Sequence, residues 1–292
     1  IGLIGATVLI RPTTTPKEKL WEWDRRVNTK WLLHDLDNLE KEEAKHTCIK
    51  LEDLPDQTCI NAESIAIHNP YAPWLIATGS GSTGKPKLMP ISHLQQIERC
   101  KTAKTWAPYT SEDIFASLVA FNFYTGTSRI LECFAIGAKV TLIENNNKDF
   151  STNSKEVTCI FATPFHLRQL LKIKKTNSDL LPNLTYAIVA GDLVSKELRR
   201  EAQKKLCKNV YVYYGCNETG GCCIAQPPTV YDDSEFLGKS IEGYTIEIVD
   251  ENEKLLPNNK IGQIRVKSKC SINHYLDDEE KTEQTFRNGY VY

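Results

Sequence analysis

Short apolar runs and longer amphipathic stretches alternate through most of the chain. Runs at 4–10, 30–33, 73–78, 115–121, 139–143, 159–162, 184–190 and 210–214 have strand length and are set off by turn-forming or charged residues. Between them, 17–27, 92–105, 127–135, 164–172 and 195–205 carry apolar residues at helical spacing, with Ser92 standing where an N-cap belongs. Residues 35–45 are charged and read as solvated surface, and 79–90 reads as a loop. Strands alternating with helices imply βαβ units, and so an α/β protein whose mostly parallel sheets are flanked by helices. After Gly220 the texture changes: 245–249 and 262–268 read as strands, and the turn signals at 250–252 and 257–259 suit antiparallel pairing. The expected organisation is a first α/β subdomain over 1–110, a second over 111–221 and a smaller β subdomain over 222–292.

Composition narrows the function classes. The chain has 292 residues, 41% of them hydrophobic and 25% charged, as in ordinary globular proteins. The net charge of -1 does not suggest a general binder of nucleic acid or of a membrane surface. The longest apolar stretch, around 1–10, is too short to span a bilayer and lacks the basic start of a signal peptide. The sequence opens without Met directly on an apolar run, so it reads as the interior of a longer protein. Of ten cysteines, Cys222 and Cys223 are adjacent, the others are scattered, and no C-x-x-C pair occurs. Reduced, mostly buried cysteines in a cytoplasmic protein are the expectation.

Candidate chemistry concentrates at 79–87, which reads GSGSTGKPK after an apolar run. Glycines let backbone N–H groups turn toward an anion, hydroxyls add donors and lysines add charge. Gly79, Gly84 and Lys85 fit the Walker A spacing, but that loop continues with a Mg²⁺-binding Ser or Thr, and here Pro86 follows. Pro86 and Pro90 also disfavour a helix through the segment, so the loop is expected to stay extended until Ser92. A surface loop that binds nothing and a phosphate loop of another kind both remain open on the loop alone.

Residues 78–87 followed by Ser92-His93 resemble the phosphate loop [ST]-[SG]-S-G-[ST]-T-G-x-P-K-G of the adenylate-forming superfamily. That superfamily comprises acyl- and aryl-CoA synthetases, luciferases and the adenylation domains of peptide synthetases. Further segments resemble its motifs in its order. They are Ala190-Gly191-Asp192-Leu193-Val194-Ser195, Tyr213-Tyr214-Gly215-Cys216-Asn217-Glu218, Gly262-Gln263-Ile264-Arg265-Val266, and Tyr275 to Thr282 with Phe286 to Tyr290. The resemblance implies an ATP- and Mg²⁺-dependent attack of a carboxylate on the α-phosphorus, giving acyl-adenylate and pyrophosphate. Coenzyme A or a phosphopantetheine carrier protein would be the final acceptor. Ser80, Gly81, Ser82, Thr83, Gly84, Lys85 and Lys87 would wrap the phosphates. Gly191, Asp192, Tyr213, Tyr214, Gly215 and Asn217 would line the nucleotide site, with Tyr214 on adenine. Glu218 would hold Mg²⁺, and Glu218, Thr83 and Lys87 would carry catalysis by alignment and charge neutralisation. Asn217 replaces the usual Thr, Leu88 the usual Gly, and Asp192 the usual Glu. The ribose-binding Asp and the mobile C-terminal domain of the superfamily have no counterpart in these residues, so this stretch alone is expected to adenylate weakly or not at all.

The acid is harder to read. Amino-acid-activating members carry an Asp in the segment that here spans 120–128, because a buried ammonium without a partner is costly. This segment has no acidic residue and resembles A-H-N-[FY]-P of salicylate- and dihydroxybenzoate-activating synthetases, through Asn122. Asn122 would then face a ring hydroxyl, although it could equally cap a strand end. Phe121, Asn122 and Tyr124, with Gly191, Cys216, Gly220 and Gly221, form the expected acid pocket, the two glycines leaving room. An aryl or other uncharged-tail carboxylate is expected ahead of an amino acid. A non-catalytic, nucleotide-binding relic of the fold is the alternative from another class. His93 and His166 read as structural, and Cys216, Cys222 and Cys223 as small pocket or core residues.

Overall fold

The computed structural model describes residues 7–9, 22–23, 25–34, 47–50, 69–79, 86–143, 152–227 and 236–292. The apolar runs become β1 (Val8–Leu9), β2 (Trp31–His34), β3 (Thr47–Lys50), β4 (Pro73–Gly79), β5 (Lys87–Ser92), β6 (Ile114–Ser117), β7 (Lys139–Thr141), β8 (Cys159–Ala162), β9 (Tyr186–Val189) and β10 (Asn209–Cys216). The helices are α1 (His93–Trp106), α2 (Tyr124–Ile136), α3 (Pro164–Lys174) and α4 (Lys196–Lys205). Residues 22–23 and 25–27 are also helical, within the helix expected at 17–27. Ser92 caps α1 in a capping box: its hydroxyl accepts from the Gln95 N–H, and the Gln95 side chain accepts from the Ser92 N–H.

The largest sheet has seven strands in the order β12-β11-β10-β9-β8-β6-β7, where β11 is Gly220–Ala225 and β12 is Lys239–Ser240. Its five strands from β10 to β7 are parallel, and β11 and β12 extend it antiparallel. Successive residues of these strands enter two cores. Ile160, Ala162, Ala187, Val189, Val210 and Val212 pack with Leu167 and Leu170 of α3 and with Leu198 and Ala202 of α4. Cys159, Phe161, Ile188 and Tyr213 pack on the other face with Trp106 of α1 and Cys133 of α2. A strand buried on both faces has no polar side, which is why these runs are continuously apolar. Each fully buried Leu contributes about 2 kcal/mol relative to exposure.

A three-stranded sheet, β1-β4-β5, stands beside it, with β4 and β5 antiparallel and Gly79 opposite Lys87. The loop expected over 79–90 is therefore shorter: 87–92 is a strand. Pro90 is tolerated because β5 lies at the edge of its sheet, where a missing N–H costs little. The small antiparallel sheet has the order β13-β14-β16-β15, with β13 at Thr245–Val249, β14 at Gln263–Lys267, β15 at Phe286–Arg287 and β16 at Tyr290–Val291. A short helix, α5 (Glu279–Thr285), precedes β15. The division expected at 222 cuts the large sheet, because β11 pairs with β10; the small sheet begins at Thr245. A third core joins these bodies: Leu75, Ala77, Met89 and Ile91 of the three-stranded sheet meet Tyr124, Ile272 and Tyr275.

Candidate active site

The carboxyl ends of the parallel strands point one way. Ser117 of β6 leads into 118–124, Val189 of β9 into Gly191-Asp192, and β10 ends in Gly215-Cys216 before Asn217-Glu218. In open α/β sheets such ends form the ligand crevice. The sequence candidates from three separated segments thus share one edge of the sheet.

At that edge Lys87 of β5, Glu218 from the turn between β10 and β11, and Tyr275 from the segment between β14 and α5 meet. The Lys87 ammonium donates to Glu218 Oε1 at 3.0 Å and to the Tyr275 hydroxyl at 3.0 Å, and the phenol donates to the same Glu218 oxygen at 2.7 Å. Lys87 also sits 4.9 Å above the Tyr275 ring centre. Burial alone would raise the Glu218 carboxyl, but the hydrogen bonds from Tyr275 and Lys87 outweigh it and hold it below its ordinary value. Burial would lower Lys87, and its bonds to Tyr275 and Glu218 reverse that, so it remains a firm cation. Burial pushes the Tyr275 phenol up to about 12, which keeps its proton available for Glu218. The main chain behind Glu218 is equally tied: Ile272 N–H donates to the Glu218 carbonyl at 2.8 Å, and Leu276 N–H to the Leu88 carbonyl at 2.8 Å.

Tyr213 and Tyr214 face opposite sides. Tyr213 lies in the core, its ring 4.7 Å from Trp106 and 4.7 Å from the Arg129 guanidinium, so its side chain lines no nucleotide site. Tyr214 is half-buried at the strand end. The room beside Gly221 is also spoken for: a Cβ there would lie 1.6 Å from the Tyr213 ring. A Cβ on Gly215 would lie 2.1 Å from the Gly220 carbonyl oxygen, across the bulge in the β10–β11 pair. The space beside Gly221, expected to leave room for the acid, is thus filled by the Tyr213 ring. Gly191 (φ 91°) and Asp192 lie exposed, with Asp192 accepting from the Leu193 N–H at 2.7 Å.

In the acid segment, Phe121 and Phe123 are exposed, whereas Tyr124 is buried and spends its hydroxyl on Arg99 and Gln96. Tyr124 therefore ties this segment to α1 instead of lining a surface. Asn122 Oδ1 is buried without a hydrogen-bond partner among the described residues. Thr125 donates to Asn217 Oδ1 at 3.2 Å, which joins the acid segment to the loop before Glu218. Cys216 is exposed, Cys223 half-buried and Cys222 buried, and all three are free thiols. His166 caps α3 with Thr163, as a structural histidine does, and His93 opens α1. Ser80, Gly81, Ser82, Thr83, Gly84 and Lys85 lie outside the described residues.

The AMP-binding enzyme family profile matches residues 2–276. The chain belongs to the AMP-binding enzyme family. Bacitracin synthase 3 of Bacillus licheniformis is 26% identical over 219 residues, which is 71% of this chain and 3% of that protein. The human mitochondrial acyl-coenzyme A synthetase ACSM5 is 25% identical over 223 residues, 72% of this chain and 38% of its own length. Among solved structures, the o-succinylbenzoate coenzyme A synthetase of Bacillus subtilis in complex with AMP has a TM-score of 0.86 and 21% identity. The match covers 99% of this chain and 60% of that one. Its complex with ATP and magnesium ion gives 0.85 and 22%, covering 99% and 61%. This likeness is one of fold, and the chain spans less than two thirds of each of these proteins. The adenylate-forming fold implied by the ordered series of motifs is the fold observed.

Within this AMP-binding core, sequence reasoning assigned no role to Tyr275 or Thr125. Tyr275 opens one of the resembling segments, but its bond to Glu218 spans 57 residues and is visible only in the fold. No helix among the described residues is long and apolar enough to cross a membrane.

Proposed function

We propose that the chain is the nucleotide- and acid-binding core of an AMP-forming ligase. It would activate an aryl or other uncharged-tail carboxylate with Mg·ATP for transfer to a thiol, that of coenzyme A or of a phosphopantetheine carrier. The observation that carries this reading is the Lys87–Glu218–Tyr275 cluster at the carboxyl edge of the sheet, on the strand that leaves the phosphate-loop motif.

The donor set fits a phosphate-bound Mg²⁺. Among the described residues no three His, Cys, Asp or Glu side chains form a metal cage. One ionised carboxylate beside a phosphate loop is what Mg²⁺ uses when substrate phosphates and water supply its other ligands. Glu218 would hold that metal, which neutralises charge on the phosphates when bound. The chain's own residues do the rest. Lys87 exchanges Glu218 for a phosphate oxygen, Tyr275 keeps Glu218 ionised and aimed, and Tyr214 offers its half-buried ring to the base. The substrate carboxylate is already a nucleophile, so no general base is needed; alignment and charge stabilisation carry the rate.

Two features favour an uncharged-tail acid. Residues 120–128 contain no Asp or Glu to pair an ammonium. The buried Asn122 Oδ1 lacks a donor among the described residues, and a ring hydroxyl would supply one. The likeness to bacitracin synthase 3 favours an amino acid as the second reading. ATP–pyrophosphate exchange by the full-length protein, run against aryl, fatty and amino acids, separates the two. Exchange driven by amino acids alone overturns the acid assignment. No exchange with any acid leaves the non-catalytic reading.

A further inference from the structure

Arg99, on the second turn of α1, is buried, and the hydrogen bonds it makes among the described residues go to carbonyls and a phenol rather than to a carboxylate. Its guanidinium is spent on oxygens from three separate segments. Nε donates to the Cys270 carbonyl at 2.9 Å, and one terminal nitrogen to the Tyr124 hydroxyl at 2.6 Å. The other donates to the Asn217 carbonyl at 3.0 Å and reaches the Glu218 carbonyl at 3.5 Å. Its charge centre lies 5.1 Å from the Tyr124 ring centre. Gly220 packs so closely that a Cβ there would be 3.3 Å from Arg99 Nε.

We propose that Arg99 is a positioning residue that locks the Glu218 loop to the acid-binding segment alongside the Thr125–Asn217 bond, so that one side chain braces both the metal-binding carboxylate and the acid pocket. The assignment rests on the ligase reading above. Two consecutive carbonyls, at 217 and 218, turn inward to the same nitrogen, which leaves the Glu218 side chain to point out toward Lys87 and Tyr275. The Cys270 carbonyl anchors the chain that carries Tyr275, the second donor to Glu218. Tyr124 brings in the segment of Phe121 and Asn122, and its hydroxyl donates a hydrogen bond to Gln96 Oε1 at 2.8 Å. Only a planar fork with five donors reaches all of these at once; a lysine keeps the charge but can satisfy only part of the set.

Arg99→Lys and Tyr124→Phe in the full-length protein test this by amide hydrogen exchange and pyrophosphate exchange. In Arg99→Lys, amides at 216–219 and 270–272 exchange about tenfold faster, and half-maximal pyrophosphate exchange needs about tenfold more Mg²⁺, the usual scale for losing a supporting partner. Tyr124→Phe keeps the carbonyl bonds and cuts only the link to the acid segment. It raises the acid KM severalfold, leaves the Mg²⁺ requirement alone and loosens 120–126 but not 216–219. A folded Arg99→Lys protein with amide protection and Mg²⁺ dependence within twofold of wild type overturns the assignment. If Arg99→Lys does not fold, Tyr124→Phe decides: loosening of 216–219 as much as 120–126, or of neither, overturns it. If the wild type shows no acid-dependent exchange at all, the ligase reading fails, while amide protection still reports on Arg99.

Discussion

Glu218 owes its charge to its neighbours. Buried to 12% exposure, it would hold a proton too tightly, and Tyr275 and Lys87 reverse that. A carboxyl with a lowered folded value contributes stability that is present above its ordinary value of 4.5 and is lost as pH falls through the lowered one. Tyr275→Phe removes one donor to Glu218 while keeping the ring against Phe286, whose centre is 5.0 Å away. We expect a loss of about 1–2 kcal/mol in chemical denaturation at neutral pH. Glu218 should also titrate at higher pH in carbon-detected NMR, and an unchanged titration would show that Lys87 alone sets it. Glu218 and the loop drew attention in the sequence because their residue types announce charge and phosphate, and the structure describes Glu218 but not 80–85. Tyr275 and Arg99 did not, because a phenol and an arginine have many uses, and their bonds span 57 and 171 residues. Tyr213 and Gly221 were misplaced for a related reason: which tyrosine of a pair faces the crevice depends on the two faces of the strand, and the motif prints both alike.

Among the elements, helix starts were the most legible where a side chain caps them, as Ser92, Thr163 and Ser195 do. The start of α2 at Tyr124, ahead of the expected 127, has no side-chain cap; it is set by packing, with Gly126 so close that a Cβ would lie 2.5 Å from the Ala120 carbonyl oxygen. Strand β5 was hidden by Pro90, because pairing with β4 is a tertiary fact. At the start of α3 the capping box uses His166 instead of Glu or Gln: its Nδ1 accepts from the Thr163 N–H at 3.3 Å, which requires the neutral ring. Burial holds His166 below its ordinary 6.5, so the unfolded chain takes up a proton first as pH falls. Its contribution is therefore present above 6.5 and is lost on acidification below it. The melting temperature should fall as pH drops through that range, and His166→Gln should flatten the slope by calorimetry. An equal slope in both proteins would assign it to other groups. The α2 pair Arg129–Glu132 is buried, at 4% and 1% side-chain exposure, with Glu132 Oε2 left without a partner. Burial pushes the Glu132 carboxyl up, and Arg129 pulls it back. Glu132→Gln, which leaves the arginine uncompensated, should cost about 3 kcal/mol. Arg129→Met with Glu132→Leu should cost less than the single change in the same urea titration; a larger cost would make the pair a net stabiliser.

At the scale of the molecule, the α/β order, the parallel strands and the antiparallel end could be read from the chain, because each follows from local periodicity. How three sheets meet could not, since it depends on a few long-range contacts. Lys87–Glu218 is one of the polar ones among the described residues: it ties the three-stranded sheet to the seven-stranded sheet across 131 positions of sequence. The same pair sits where Mg·ATP is proposed to bind, so the ligand must substitute for the contact that it breaks, phosphate for Glu218 beside Lys87 and metal for Lys87 beside Glu218. Two measurable consequences oppose each other. Without ligand, Lys87→Met leaves Glu218 buried beside Tyr275 alone, and the melting temperature should fall. With ligand at one hundred times its dissociation constant, the wild type should gain about 2.7 kcal/mol, since only the folded state binds. Lys87→Met should gain far less at the same concentration, because its phosphate partner is gone. Glu218→Gln should lose the Mg²⁺ dependence of that gain while keeping part of the gain itself. Calorimetric scans of the three proteins with ATP alone and with Mg·ATP read all of this. An equal Mg·ATP-induced rise in all three would mean that nucleotide binds elsewhere and that the Lys87–Glu218 contact only holds the sheets together.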